Sequence, residues 1–225
     1  MTWPNKETWS AGKHEATVAT ERGSIFTWVV ECGVLHLPSG RLVACDPFAS
    51  MRVRDNPHVL APTGKFPVTV TLADVSEAQD RSHIREAYAS IVFGDGVSAY
   101  RRALPLGREG EDRPVLDGEN YIGFRVDAGT ACFVDDAVIE VGMPDERTWL
   151  KELFENERPD SWFNLMDNPK HIREGIANIR LPNARNGENL ILFHSGWGDG
   201  VYPVVGSFDS NDTLLAVHID FNVIP

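Results

Sequence analysis

Three aspartates stand at predicted strand ends beside turn residues: Asp46 before Pro47, Asp127 before Ala128-Gly129-Thr130, and Asp199 between two glycines. Brought together, such carboxylates could hold a hard divalent cation such as Mg²⁺ or Ca²⁺, which takes several oxygen ligands. His218 and Asp220, two apart near the C-terminus, add a candidate acid–base pair. The run Ser195-Gly196-Trp197-Gly198-Asp199-Gly200 could present backbone N–H groups to an anion. Combined, these residues would suit a metal-assisted hydrolase or phosphoesterase. Asp46, Asp127 and Asp199 would bind the ion, and the glycine-rich turn would take the anionic oxygen.

Each of these residues also has a plainer role, and the sequence favours it. Aspartate before a turn commonly accepts hydrogen bonds from local backbone amides. His218 and Asp220 at a two-residue interval read as the solvated face of a strand. Three glycines in five positions suit a tight strand-to-strand connection. No P-loop, HExxH or dinucleotide fingerprint is present, and the histidines and cysteines lack zinc spacing. Ser195 follows His194 and precedes no helical pattern, which argues against a nucleophile elbow. The preferred reading therefore contains no catalytic residue, no metal and no cofactor; a divalent cation belongs to the alternative.

The elements that would position these side chains are mostly strands. Residues 190–193, 201–208 and 214–223 read as three strands of a closing meander. In the last, Leu215, Val217, Ile219, Phe221 and Val223 alternate with Ala216, His218, Asp220 and Asn222. Residues 28–37 and 41–46 read as a hairpin about Pro38-Ser39-Gly40. Residues 66–73 and 84–93 are further strands, followed by a hairpin turn at Gly94-Asp95-Gly96. Short strands are predicted at 121–127 and 131–134, and surface loops at 48–63 and 104–118. Helical spacing begins at Pro144-Asp145-Glu146, with Trp149, Leu150, Leu153 and Phe154 as its apolar face, and continues in shorter pieces at 162–166 and 172–179. Residues 1–24 read as an arm or linker whose Trp3 and Trp9 dock on the body. The predicted architecture is a single α+β domain over residues 25–225, mainly antiparallel, with helices around residues 145–180.

Composition narrows the partners. The chain has 225 residues, 42% of them hydrophobic, and carries a net charge of −12. Residues 1–75 are balanced, residues 76–150 hold 8 basic and 15 acidic residues, and residues 151–225 hold 6 and 11. Such a surface disfavours nucleic acid and anionic membrane, and suits a basic protein partner. No apolar run reaches the roughly 18 residues of a membrane helix, and the N-terminus lacks a secretion-signal layout. Cys32, Cys45 and Cys132 form no CxxC, which points to reduced thiols and a cytoplasmic protein. Cys32 and Cys45 fall on neighbouring predicted strands. Oligomeric state is not legible.

Gly33-Val-Leu-His-Leu-Pro-Ser-Gly-Arg-Leu-Val-Ala-Cys-Asp-Pro-Phe, Val126-Asp-Ala-Gly-Thr-Ala-Cys-Phe and Ser195-Gly-Trp-Gly-Asp-Gly-Val-Tyr-Pro-Val-Val-Gly, with Asp220-Phe221, resemble the bacterial proteins of domain of unknown function family 4241. The resemblance runs from about residue 25 to 224 in the right order. It implies a bacterial protein and little about activity. The functional expectation is a non-enzymatic protein-binding module, an immunity or antitoxin-type protein that neutralises a basic effector.

Overall fold

Short apolar and alternating runs punctuated by turn residues recur along this chain, and they set its architecture. The computed structural model describes residues 3–21, 23–113 and 121–225. Fourteen strands are present among them: β1 (Glu15–Thr20), β2 (Gly23–Leu37), β3 (Arg41–Cys45), β4 (His58–Leu60), β5 (Gly64–Asp74), β6 (Ile84–Val92), β7 (Tyr100–Ala103), β8 (Phe124–Val126), β9 (Thr130–Asp135), β10 (Ile176–Arg180), β11 (Asn189–His194), β12 (Gly200–Tyr202), β13 (Val204–Phe208) and β14 (Leu214–Asp220). A seven-stranded sheet runs β1-β2-β5-β6-β14-β13-β7, a five-stranded sheet runs β10-β11-β9-β3-β4, and β12 pairs with β8. Every pairing is antiparallel. The fold is α+β with β dominant.

The two large sheets share one core. Leu35, Val70, Ala89 and Ile219 of the larger sheet pack with Ala44, Phe133, Ile191 and Phe193 of the smaller. The other face of the smaller sheet is covered by helical pieces: α1 (Asp136–Gly142), a 3-10 turn (Glu146–Thr148), a π-turn (Leu150–Phe154) and α2 (Trp162–Asp167). Trp149, Phe154 and Trp162 there meet Val43, Cys45, Cys132 and Val134. The helical region thus lies where the sequence places it, but Leu150 is 58% exposed and is not part of its apolar face.

The free face of the larger sheet is covered by the N-terminal arm. Trp9 is 2% exposed and stacks 4.6 Å from Tyr88, and the Arg101 guanidinium lies 5.0 Å from the Trp9 ring centre. Docking of Trp3 and Trp9 is as expected from the sequence. Residues 15–20 are not linker, however, because they pair with β2 along their whole length.

Several predicted connections are different. Residues 28–37 and 41–46 do not form a hairpin: β2 joins the larger sheet and β3 the smaller, so residues 38–40 cross between layers. The crossing is fastened by buried Asp135, which accepts from the N–H groups of Ser39 and Gly40, from the Ser39 hydroxyl and from the Ala137 N–H that opens α1. The closing meander is likewise divided. β11 lies in the smaller sheet, β12 pairs with β8, and only β13 and β14 form the expected hairpin. Gly94-Asp95-Gly96 does not turn β6 back on itself, since β7 pairs with β13. Residues 176–180, predicted within a helical piece, are edge strand β10. Cys45 lies beside Cys132, Sγ to Sγ 3.7 Å, and not beside Cys32. All three are buried thiols. Part of the predicted loop 104–118 lies outside the described residues.

Candidate functional site

The aspartates singled out in the sequence do gather, but around backbone amides. Asp46 is fully buried at the end of β3. Its Oδ1 accepts from the N–H groups of Phe48 and Ala49 at 2.9 and 3.2 Å, and its Oδ2 from those of Asp127 and Ala128 at 2.9 and 2.7 Å. Asp199 Oδ1 takes the next amide of the same loop, Gly129 N–H, at 3.0 Å. Asp127 pairs with Arg125 at 2.6 Å on the surface. The trio therefore ties the 127–129 loop to β3 and to the glycine-rich turn. Among the described residues, no group of three His, Cys, Asp or Glu side chains is arranged to hold a metal ion.

His218 and Asp220 are not on a solvated face. The arm converts that face of β14 into a second interior, leaving them 5% and 0% exposed. Ser90 and Ser207 bracket the His218 ring, hydroxyl oxygens 2.7 Å from Nδ1 and 2.9 Å from Nε2. Desolvation, aided by nearby Arg101, drives the imidazole pKa down to about 3, so it is neutral at pH 7. Asp220 accepts from Trp3 Nε1 at 2.8 Å and from Asn222 N–H at 2.9 Å. Burial raises its pKa, opposed by those donors and by Lys6. The two residues are consumed by arm docking and form no accessible dyad.

The glycine-rich segment is a tight turn, as its composition suggests, and it also borders a cleft. Gly196 and Gly198 have φ of +61° and +100°. A Cβ on Gly196 would sit 2.9 Å from Phe221 Cβ, so both conformation and space require glycine. Ser195 Oγ donates to Gly198 O at 2.8 Å and is fully buried, which removes it as a nucleophile. The Tyr202 hydroxyl is shared between the carbonyls of Ser195 and Gly198. Ser195 to Gly198, with Ala128 and Gly129, then form one side of a cleft of about 340 Å³; Arg85, Asp167 and His194 form much of the rest. Asp199 and Gly200 do not line it.

The same segments carry the family relationship. Residues 35–219 match the family described as Protein of unknown function (DUF4241). The chain belongs to this family. No curated protein and no solved structure matches it. The match spans β3, the 127–129 loop and the glycine-rich turn, the three segments that the Asp46 and Asp199 hydrogen bonds join.

Arg85, Glu86, Asp167 and His194 escape a sequence reading because they come from three separate segments with no motif spacing. Glu86 belongs to a strand that reads as alternating, yet β5 and β6 shift register between Thr71 and Leu72. Glu86 is thereby paired opposite core residue Leu72 and is 5% exposed. Desolvation raises its pKa to about 7 despite the nearby Arg173 and Arg85. His194 at the cleft rim is shifted the other way, desolvation lowering it against the pull of Asp167 and Glu174.

Proposed function

We propose that this protein is a non-enzymatic binding module of the immunity or antitoxin type, acting in the cytoplasm, whose partner is a basic protein. The observation that carries this reading is the acidic helical cap over the smaller sheet. Between residues 135 and 160 the chain holds 9 acidic and 3 basic residues. The described partners take up part of that charge: Arg147 and Arg158 pair with Asp145 and Asp160, while Arg52 and Arg54 reach Glu146 and Glu140. Glu152, Glu155 and Glu157 are exposed and have no ion pair among the described residues. Val141 and Leu150, 64% and 58% exposed, are apolar residues of the same helical cap that could serve as anchors. An interface combining apolar contacts with like-signed charge selects partners of opposite charge and accelerates their encounter.

Two further facts fit. Of the carboxylates that would have served a metal-assisted hydrolase, Asp46 is saturated by four backbone N–H groups, Asp199 takes the Gly129 N–H and Asp127 pairs with Arg125. The cysteines are thiols, as a reducing compartment requires. No helix among the described residues is long and apolar enough to cross a membrane.

The test is affinity capture from a host lysate, identification of the retained protein, and titration of the purified partner. With Glu152, Glu155 and Glu157 all changed to lysine, the dissociation constant should rise on the order of a hundredfold at about 0.1 M salt, mostly through slower association. Wild-type binding should weaken steeply with salt. Recovery of no basic protein, or a triple variant that binds like wild type, would defeat the proposal.

A further inference from the structure

The cleft beside the glycine-rich turn has a chemistry that the acidic cap does not explain. Buried donors are normally partnered, because a hydrogen bond given up to water and not remade in the fold is a net loss. Two guanidinium nitrogens break that rule: Arg85 Nε in the cleft wall, and Nη1 of Arg173, two residues from Gly175, which hydrogen-bonds the cleft-lining Met166 and His194. Both nitrogens are buried and have no hydrogen-bond partner among the described residues. Two other guanidinium nitrogens share that condition, Arg41 Nε, which faces Asp136 at 3.4 Å, and Arg101 Nε, which lies under the arm beside Trp9, but neither residue lines this cleft. Arg85 lines the cleft and packs its guanidinium 5.4 Å from the centre of the exposed Trp197 ring. Arg173 is close enough to influence the protonation of both Glu86 and His194.

The rest of the wall adds donors. The backbone N–H groups of Gly196 and Trp197 make no hydrogen bond among the described residues, while Gly198 N–H closes the turn onto Ser195 O. Glycine turns with successive bare amides favour anions, and guanidinium groups add directional paired donors. Opposing charge comes from Asp167 at the mouth, from Glu174 near His194, and from Glu86, whose burial raises its pKa to about 7.

We infer that this cleft is a binding site for a small oxyanion, a phosphate or a carboxylate, held by Arg85 and the Gly196–Trp197 amides with Arg173 behind them. A charged hydrogen bond of this type is worth about 1.5–3 kcal/mol, which corresponds to roughly a ten- to hundredfold change in affinity. The donors of the site, Arg85, Arg173 and the Gly196–Trp197 amides, lie outside the helical cap, so it stands or falls independently of the protein partner.

Trp197 supplies the readout. Inorganic phosphate and succinate, each titrated against sodium chloride of matched ionic strength, should give a saturable change in tryptophan fluorescence for at least one of the two anions. Which anion saturates identifies the source of the oxyanion. Arg85→Gln should weaken binding at least tenfold while keeping the wild-type circular dichroism spectrum, and Arg173→Gln should weaken it too. Trp197→Phe should abolish the optical signal; a signal that persists in this variant arises away from the cleft and counts against the inference. Should Arg85→Gln fail to fold, Arg173→Gln alone decides. If neither anion binds below 10 mM (on the order of the weakest affinity two such contacts would give), or if the folded arginine variants bind like wild type, the inference is wrong.

Discussion

Replacing Asp46 by alanine is expected to cost on the order of 3–4 kcal/mol of folding stability, a large share of the roughly 10 kcal/mol typical of a domain. Four backbone N–H groups, from Phe48, Ala49, Asp127 and Ala128, converge on one fully buried carboxylate. Alanine leaves all four without an acceptor and opens a void that water fills only partly. For a chain of 225 residues the melting temperature should fall by roughly 10 °C. Asp46→Asn keeps one carbonyl oxygen and should lose about half as much. Urea unfolding followed by tryptophan fluorescence measures both. The same experiment separates this role from metal binding. Millimolar Mg²⁺ or Ca²⁺ should leave the wild-type midpoint where it is, whereas a cation ligand would give a midpoint that rises with the ion and stops rising in the Asp46 variants.

The sequence shows which residues turn the chain but not which layer each strand enters. Alternation in residues 214–223 correctly marks β14, and the Ser195–Gly200 composition correctly marks a turn. Alternation is blind, however, to what covers the polar face. His218 and Asp220 look solvated until the arm is laid over them, because Trp3 and Trp9 reach that face from more than two hundred residues away in the chain. The Pro38-Ser39-Gly40 connection misleads for a related reason. A proline–glycine turn between two apolar runs suits both a hairpin and a crossing between sheets, and buried Asp135, 96 residues away from Ser39, decides between them.

The candidate sites divide along the same line. Asp46, Asp127 and Asp199 were legible as turn residues, but that their turns meet is visible only in the hydrogen bonds that join them. Their function was not legible either, because a carboxylate before a turn serves amides and metal ions equally well in one dimension. Arg85 and Glu86 were invisible. Their positions depend on the register shift between β5 and β6, which lets a strand of ordinary alternation deliver a glutamate opposite the core and an arginine to a cleft. The helical cap was legible in place, but its short 3-10 and π-turns do not follow the single apolar stripe that Trp149 to Phe154 suggests.

His218→Gln should produce a stability deficit that is present at neutral pH and largely gone at pH 5. In the folded protein the imidazole titrates near 3, against an ordinary value of 6.5. Below pH 6.5 the unfolded chain takes up a proton that the folded chain refuses, so wild-type stability must fall with falling pH until the folded group also titrates. At about 1.4 kcal/mol per pH unit, the loss between pH 6.5 and 5 is about 2 kcal/mol. Glutamine cannot titrate and cannot satisfy both Ser90 and Ser207 as the ring does, so it should cost roughly 2 kcal/mol at pH 7.5. Glu86 acts with the opposite sign: its folded pKa of about 7 makes wild-type stability fall as pH rises from 4.5 to 7. That contribution, with those of Asp220 and every other group unaffected by the substitution, cancels when variant and wild type are compared at the same pH. Urea melts of both proteins at pH 7.5 and pH 5 isolate the histidine. A gap between the two curves that stays the same size at both pH values would mean that His218 is protonated inside the fold, and that the arm does not exclude water from it.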